Sequence, residues 1–523
     1  MDIVKRHISL LATAIAISSI PFFGLIWLTR PKNKSVPGPQ FSLQFLKQVM
    51  AHRKNNSMHE YLASASKAYG PIVRLPAPIF GLMEVILLSD APESKRILSS
   101  QTEFDRTTLM KRLSLSPHAL PALVGDEHKR HRKILQPAFA PKTFRQVPAV
   151  VDKAMQELFG IWERKRLNGD RIVDASVHMK SLVVEALGEI LFGYRFGGVA
   201  ALEAGTIDKK FENAVFQFGL LTTRRALVPK FLWGVVGLAP SQVQKQVAPL
   251  LDMLESMIQK KKKDQLEATS DSDKPKDFLD FLLSMNTDGD GKFTHDEIID
   301  ECVTFYLGAQ GTTPGTLGFL IYELSLNPEL TQRLQEELDE ELGADGNGVV
   351  TTELRSRQTL TQSNAFLFSL CMFLFRPLTP PSDFSRLLHN IVQESLRLHP
   401  SFNPATRIAL EDTMILGHKI AKGTNIRVFP MAVHQNSASW NDPTRFDPDR
   451  WNQGAHIAGS FLPFGDGIYH CIGKGIAQSL LKTIAAGLFY KYTPRLMDPN
   501  IQVKTNLNST SIHNLMVEFV PRR

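Results

Sequence analysis

Apolar residues change their spacing several times along this chain, and each change predicts a different element. From Ile8 to Leu28 they run for 21 residues without a charged side chain. At about 1.5 Å per residue this crosses the roughly 30 Å hydrocarbon core of a bilayer, so it predicts one N-terminal transmembrane helix. Lys5 and Arg6 precede the span and Arg30, Lys32 and Lys34 follow it, a bias that weakly places the rest of the chain in the cytosol. A cleaved signal peptide is the rival, but the stretch is long for one. Val36-Pro-Gly-Pro39 then makes a stiff hinge. The expected layout is an anchor over 1–30, a hinge over 31–40 and one large domain over 41–523.

Within that domain, short strand-like runs lie at Pro71–Leu75 and Glu84–Leu88. Helical spacing dominates from about residue 127, and a second β-rich patch, punctuated by Gly417 and Gly423, spans Thr413–Val428. Three helices stand out: a long apolar one over Ile298–Leu326, one over Leu387–His399 closed by Pro400, and one marked by Ile472, Ile476, Leu480, Ile484 and Leu488. The fold class is therefore mainly α with a small β region. One segment fits nothing around it. Ala365–Phe375 has ten apolar residues in eleven, too short to span a bilayer, and Arg376-Pro-Leu-Thr-Pro-Pro-Ser382 breaks any helix after it. We read 365–386 as an insertion, either a surface element or untranslated sequence retained in the gene, and favour the second because it shows no pairing pattern with the rest.

Composition narrows the function. The chain has 523 residues, 43% of them hydrophobic, enough for one large core. Cys302, Cys371 and Cys471 form no disulfide framework and no C-x-x-C zinc pair, which suits a reducing, cytosol-facing setting. The net charge of +8 is scattered, and its densest run, Lys260–Lys263, leads into a polar loop. That pattern argues against nucleic acid and for contact with anionic lipid or an acidic protein. No G-x-S-x-G, G-x-G-x-x-G, G-x-x-x-x-G-K or H-E-x-x-H motif is present, so no flavin or nicotinamide site is evident.

Chemistry concentrates in Phe461-Leu-Pro-Phe-Gly-Asp-Gly-Ile-Tyr-His-Cys471-Ile-Gly473, which delivers one cysteine to the start of a helix. Unpaired N–H groups and the helix dipole stabilise a thiolate there, the form that ligates iron. Gly465, Gly467 and Gly473 remove side chains where a flat cofactor would approach the backbone. This loop closely resembles that of the cytochrome P-450 family, Phe-x-x-Gly-x-Arg/His-x-Cys-x-Gly, with Phe464, Gly467, Cys471 and Gly473 matching. The resemblance runs from about Pro37 to Val520 and implies the P450 fold, haem b (iron protoporphyrin IX) and a haem-thiolate monooxygenase. The similarity is to membrane-anchored eukaryotic, fungal-like members.

Two further motifs support it. Glu394-Ser-Leu-Arg397 places two charges three apart on one helix face, where they can pair. The resemblance implies that the pair is buried and joined by an arginine of the Pro-x-Arg-Phe segment, here Pro443-Thr-Arg445-Phe446. On the long helix, Gly308-Ala-Gln-Gly311-Thr312-Thr313 resembles the family's oxygen-face pattern Ala/Gly-Gly-x-Asp/Glu-Thr-Thr/Ser. Thr312 takes the place of the oxygen-activating threonine, and Gly311 stands where the acid should be. O–O cleavage needs protons, so Gln310 or ordered water is expected to replace the carboxylate.

Other departures concern the haem propionates. Tyr469 occupies the Arg/His position two residues before the cysteine and keeps one hydrogen bond without the charge. In Gly125-Asp-Glu-His128-Lys-Arg-His-Arg132, resembling Trp-x-x-x-Arg, His128 replaces tryptophan and Arg132 remains; Arg407 matches a further propionate arginine. The expected binding set is Arg132 and Arg407 with His128 as a third donor.

One motif competes. Asn286-Thr-Asp288-Gly-Asp290-Gly291-Lys-Phe-Thr-His-Asp-Glu297 follows a calcium-loop pattern with Asn in first place, although Thr294 and Glu297 also fit a capping box at the start of the long helix. The preferred reading is an endoplasmic-reticulum-anchored, single-pass monooxygenase with a cytosolic catalytic domain. It acts on a lipophilic small molecule with O2 and electrons from a membrane-bound NADPH-dependent flavoprotein reductase. The alternatives are a haem-thiolate isomerase or dehydratase, which needs no proton relay, and a calcium-binding membrane protein with a degenerate haem site.

Overall fold

The computed structural model describes residues 32–522, apart from 77–83, 107–113, 141–145, 205–208, 268–276, 285–292, 343–384, 506–509 and a few shorter gaps. The expected anchor, most of the calcium-like loop, Cys371 and nearly all of the suspected insertion lie outside the described residues. No helix of the described residues is long and apolar enough to cross a membrane.

The long helix His295–Leu326 is the axis of the molecule. It starts three residues before the first apolar position because Thr294 caps it: Thr294 Oγ1 accepts from Glu297 N–H while Glu297 Oε2 accepts from Thr294 N–H at 2.7 Å. From Thr313 to Ile321 the helix is buried on all sides, and it packs against helices Ala175–Phe192, Arg386–Leu398 and Lys474–Lys491. Gly318 permits a further approach, that of the strand Thr510–His513, since a Cβ there would stand 2.4 Å from Ile512 Cγ2. Ile476, Leu480, Ile484 and Leu488 of the helix that follows the cysteine are all buried in the same core, as their four-residue stride predicts.

The β structure is small and flanks this helical core. A five-stranded sheet runs in the order Ile72–Leu75, Val85–Leu88, Asn425–Val428, Ala405–Ala409, Phe104–Asp105, with only the second and third strands parallel. A three-stranded sheet joins Ile172–Asp174, Met516–Pro521 and Tyr492–Leu496. The first sheet matters for function because it ends on Asp105 and carries Arg407, two residues that come back below.

Candidate active site

Cys471 is held by a loop whose backbone hydrogen bonds fix it with its side chain turned to accessible space. Cys471 N–H donates to the Phe464 carbonyl at 2.8 Å and His470 N–H to the Gly467 carbonyl at 3.2 Å. Gly467 has φ +70°, and a Cβ there would lie 2.1 Å from the Leu98 carbonyl oxygen, so only glycine fits. The helix begins at Lys474 with Gly473 as its N-cap. Cys471 thus precedes the helix rather than opening it, yet the N–H groups of Gly473 and Lys474 still bond to its Sγ. The side chain faces accessible space. Desolvation by the surrounding walls raises the thiol pKa, and these N–H groups, with the charges of Arg132 and Lys474, pull it back. Cys302, by contrast, is fully buried and its thiol is pushed up with no cation among the causes.

Beneath the loop lies the Glu394–Arg397 pair, both side chains wholly buried. All five guanidinium N–H groups of Arg397 are used, two on the Glu394 carboxylate at 2.8 and 2.9 Å and three on the carbonyls of His434, Pro443 and Arg445. The structure corrects the third member. The side chain of Arg445 is exposed and only its carbonyl takes part. The second cation is Arg450, whose Nε donates to Glu394 Oε1 at 2.9 Å because the short turn Pro448–Asn452 directs it inward. The network reaches the cysteine loop through His434. Its Nδ1 donates to the Arg397 carbonyl at 2.9 Å and its Nε2 accepts from Leu462 N–H at 2.7 Å. Burial lowers this histidine to about 3, so it is neutral, as the two bonds require.

Above the loop, three arginines gather around Tyr469. The guanidinium of Arg106 lies 4.2 Å from the centre of the Tyr469 ring and that of Arg407 4.9 Å, with His128 tilted against the ring at 4.4 Å. Arg132 donates to the His470 carbonyl at 2.8 Å. Burial pushes Arg106 and Arg407 down to about 10, and burial with the neighbouring cations pushes His128 to about 3, which leaves it neutral. Tyr469 is not the free donor expected: its hydroxyl is taken by Asp105, and burial together with that bond raises it to about 12. Arg106 was missed in the sequence, where Phe104-Asp105-Arg106 matches no motif.

On the long helix, Gly308, Gly311 and Thr312 share a face that opens onto space: a Cβ at either glycine would meet nothing within 4 Å. Thr312 Oγ1 donates to the Gly308 carbonyl at 2.8 Å. One turn on, Thr316 Oγ1 and Ser401 Oγ pair at 2.8 Å. Gln310 does not join them. It stands two residues from both Gly308 and Thr312, about 200° around the helix, and so points away from the open face. The Cys471 side chain and the glycine-interrupted face of the long helix thus both meet open space.

The cytochrome P450 family model matches residues 36–365 and 386–517. This chain belongs to the cytochrome P450 family. A putative cytochrome P450, CYP13A7, from Caenorhabditis elegans is 24% identical over 522 residues, 92% of this chain and 93% of that protein. The cyclooctat-9-en-7-ol 5-monooxygenase of Streptomyces melanosporofaciens is 26% identical over 465 residues, covering 87% and 85%. The crystal structure of the cytochrome P450DA heme domain superposes with a TM-score of 0.74 at 20% identity, over 93% of this chain and 98% of that one. The protein is accordingly a haem-thiolate monooxygenase that uses haem b, O2, reducing equivalents and a lipophilic substrate.

The residues present fit that cofactor. Arg407 is 3% exposed and its Nε has no partner, a costly arrangement unless an anion arrives. Arg106 and Arg407 lie over the Tyr469 ring and Arg132 on the adjacent His470 carbonyl, with Asp105 and, farther off, Asp466 the carboxylates that act on Arg407 among the described residues, a surplus of positive charge suited to the propionates. The calcium pattern fares worse. Glu297 has one oxygen on the Thr294 N–H and the other on Arg130 and His131, so the bidentate ligand is already committed.

Proposed function

We propose that this P450 is anchored in the endoplasmic-reticulum membrane by residues 1–30, holds its catalytic domain in the cytosol, and oxidises a lipophilic small molecule with electrons from a membrane-bound NADPH-dependent flavoprotein reductase. The observation that carries the catalytic part is the Cys471 sulfur, turned to accessible space and met by two backbone N–H groups. The uncharged 21-residue span and its flanking bases support the anchor. Haem, when bound, supplies the activation of O2, and thiolate ligation favours O–O cleavage.

In this reading the chain's own residues do the rest. Cys471 would hold the haem iron through its thiolate, with Gly467 and Gly473 allowing its loop to lie close and Phe464 packing beside it. Arg106, Arg132 and Arg407 hold the propionates. His128, neutral, adds an uncharged donor, while Tyr469 keeps Arg106 and Arg407 in place by offering its ring to both. Thr312 presents its hydroxyl on the oxygen side. The break in the family match over 366–385 supports reading 365–386 as an insertion.

Reconstitution with reductase, NADPH and lipid vesicles tests the whole. Lipophilic candidates that shift the ferric spectrum should be oxidised only when oxygen and reductant are both supplied. Turnover of peroxides without reductant, and none with it, would instead favour an isomerase or dehydratase. In microsomes, externally added protease should digest the catalytic domain; full protection would contradict the cytosolic orientation.

A further inference from the structure

Two turns N-terminal to Gly308, the long helix and helix Gly125–Leu135 share a buried acid–base chain that none of the roles above uses. His131 is 1% exposed, with Nδ1 2.8 Å from Glu301 Oε1 and Nε2 3.0 Å from Glu297 Oε1. Arg130 Nη2 also lies 2.8 Å from His131 Nε2 and can donate to it when the ring is neutral; with both nitrogens protonated, each faces a carboxylate, so protons can move along the ring. Leu120 N–H also donates to Glu301 Oε1 at 2.9 Å, while Oε2 of the fully buried Glu301 has no partner. Burial pushes the Glu301 carboxyl above its usual range. At the outer end Glu297 accepts from Arg130, whose side chain is 37% exposed.

Helix geometry points this chain at the site. Glu301, Thr304, Gly308 and Thr312 follow one another at i, i+3, i+7 and i+11, which keeps them on one face, and Glu301 lies about 10 Å along the axis from Gly308. Thr304 is half-buried between them, and beyond it the two glycines leave room for water.

We propose that Glu301 supplies the protons that Gly311 cannot: the Glu297–His131–Glu301 chain carries them inward from the surface at Arg130, and water along Thr304 and Gly308 hands them to the Thr312 hydroxyl. The proposal rests on the monooxygenase reading. Each O2 takes two electrons from the reductase and two protons, giving one oxygen atom to substrate and one to water. Glu301 releases its carboxyl proton toward the groove and regains one from His131, which is recharged through Glu297. It acts through water and Thr312, and is therefore a positioning residue for the proton. The competing role is a latch between two helices, which would affect stability alone.

The test uses full-length holoenzyme with reductase and a substrate identified by spectral shift. Glu301→Gln keeps an acceptor for Leu120 N–H, and should lower product formed per reductant consumed on the order of tenfold or more, with hydrogen peroxide released instead. Adding Gly311→Asp should restore coupling, which no latch ten residues away would do. Thr304→Val interrupts the stripe without touching the cluster and should uncouple in the same direction, so the idea stays testable where Glu301→Gln folds poorly. Independently of turnover, infrared difference spectra should lose a protonated-carboxyl band in Glu301→Gln. Unchanged coupling in both single variants, with the thiolate–CO spectrum intact, would overturn the relay and leave the monooxygenase standing. Absence of that spectrum in the unsubstituted protein would overturn the reading beneath it.

Discussion

Glu394→Gln tests the network under the cysteine loop, and its cost can be worked from the structure. Glu394 accepts from five donors: Arg397 Nε and Nη2, Asp447 N–H, Arg450 Nε and Trp451 Nε1. The amide keeps one oxygen and turns its NH2 toward at least two of those donors, leaving two buried guanidiniums without a counter-charge. Breaking a buried pair in this way costs about 3–5 kcal/mol. Unfolding entropy of about 2.1 cal/mol/K per residue, over a chain of 523 residues, makes roughly 1 kcal/mol per degree. The expected fall in Tm is therefore about 3–5 °C by circular dichroism. The thiolate–CO spectrum should weaken with it, since Arg397 holds His434 and His434 holds Leu462 in the cysteine loop. Arg445→Ala is the control: its carbonyl survives and its exposed side chain is lost, so the change should stay within about 0.5 kcal/mol. Equal losses in the two variants, or none in Glu394→Gln, would refute the assignment of Arg450 and the reasoning behind it.

Two other outcomes follow from the same structure. His434 falls from 6.5 unfolded to about 3 folded, so the unfolded chain binds its proton first. Stability should drop as pH falls below 6.5 toward 3, by up to about 1.4 kcal/mol per pH unit, with no contribution above 6.5; acid melts of His434→Gln should be flatter, and an identical slope would count against it. Deleting Ser363–Ser385 should preserve or improve haem incorporation and the thiolate–CO spectrum, whereas their loss would make the segment a structural element.

What the sequence revealed was what is local in it. The Cys471 loop, the Glu394–Arg397 pair and the capping box of the long helix each lie within a dozen residues, and helical or turn geometry alone brings their parts together. Arg106 and Asp105 escaped because they meet Tyr469 from more than 360 residues away, through a strand pairing that no spacing announces. Arg445 and Arg450 lie on one segment, and only the turn at Pro448–Asn452 decides which side chain enters the core. Gln310 was misjudged for a simpler reason: at 100° per residue it falls opposite Thr312, which a helical wheel reveals. The His131–Glu301 contact joins two helices across 170 residues and needed the fold to be seen.

The central claim is that the Cys471 thiolate is the proximal ligand of the haem iron. Its most direct test is the ferrous–CO spectrum of the full-length protein beside Cys471→Ala and Cys302→Ala. We expect the red-shifted Soret band of thiolate ligation in the parent and in Cys302→Ala, and its complete loss in Cys471→Ala. The same band persisting in Cys471→Ala would contradict the account.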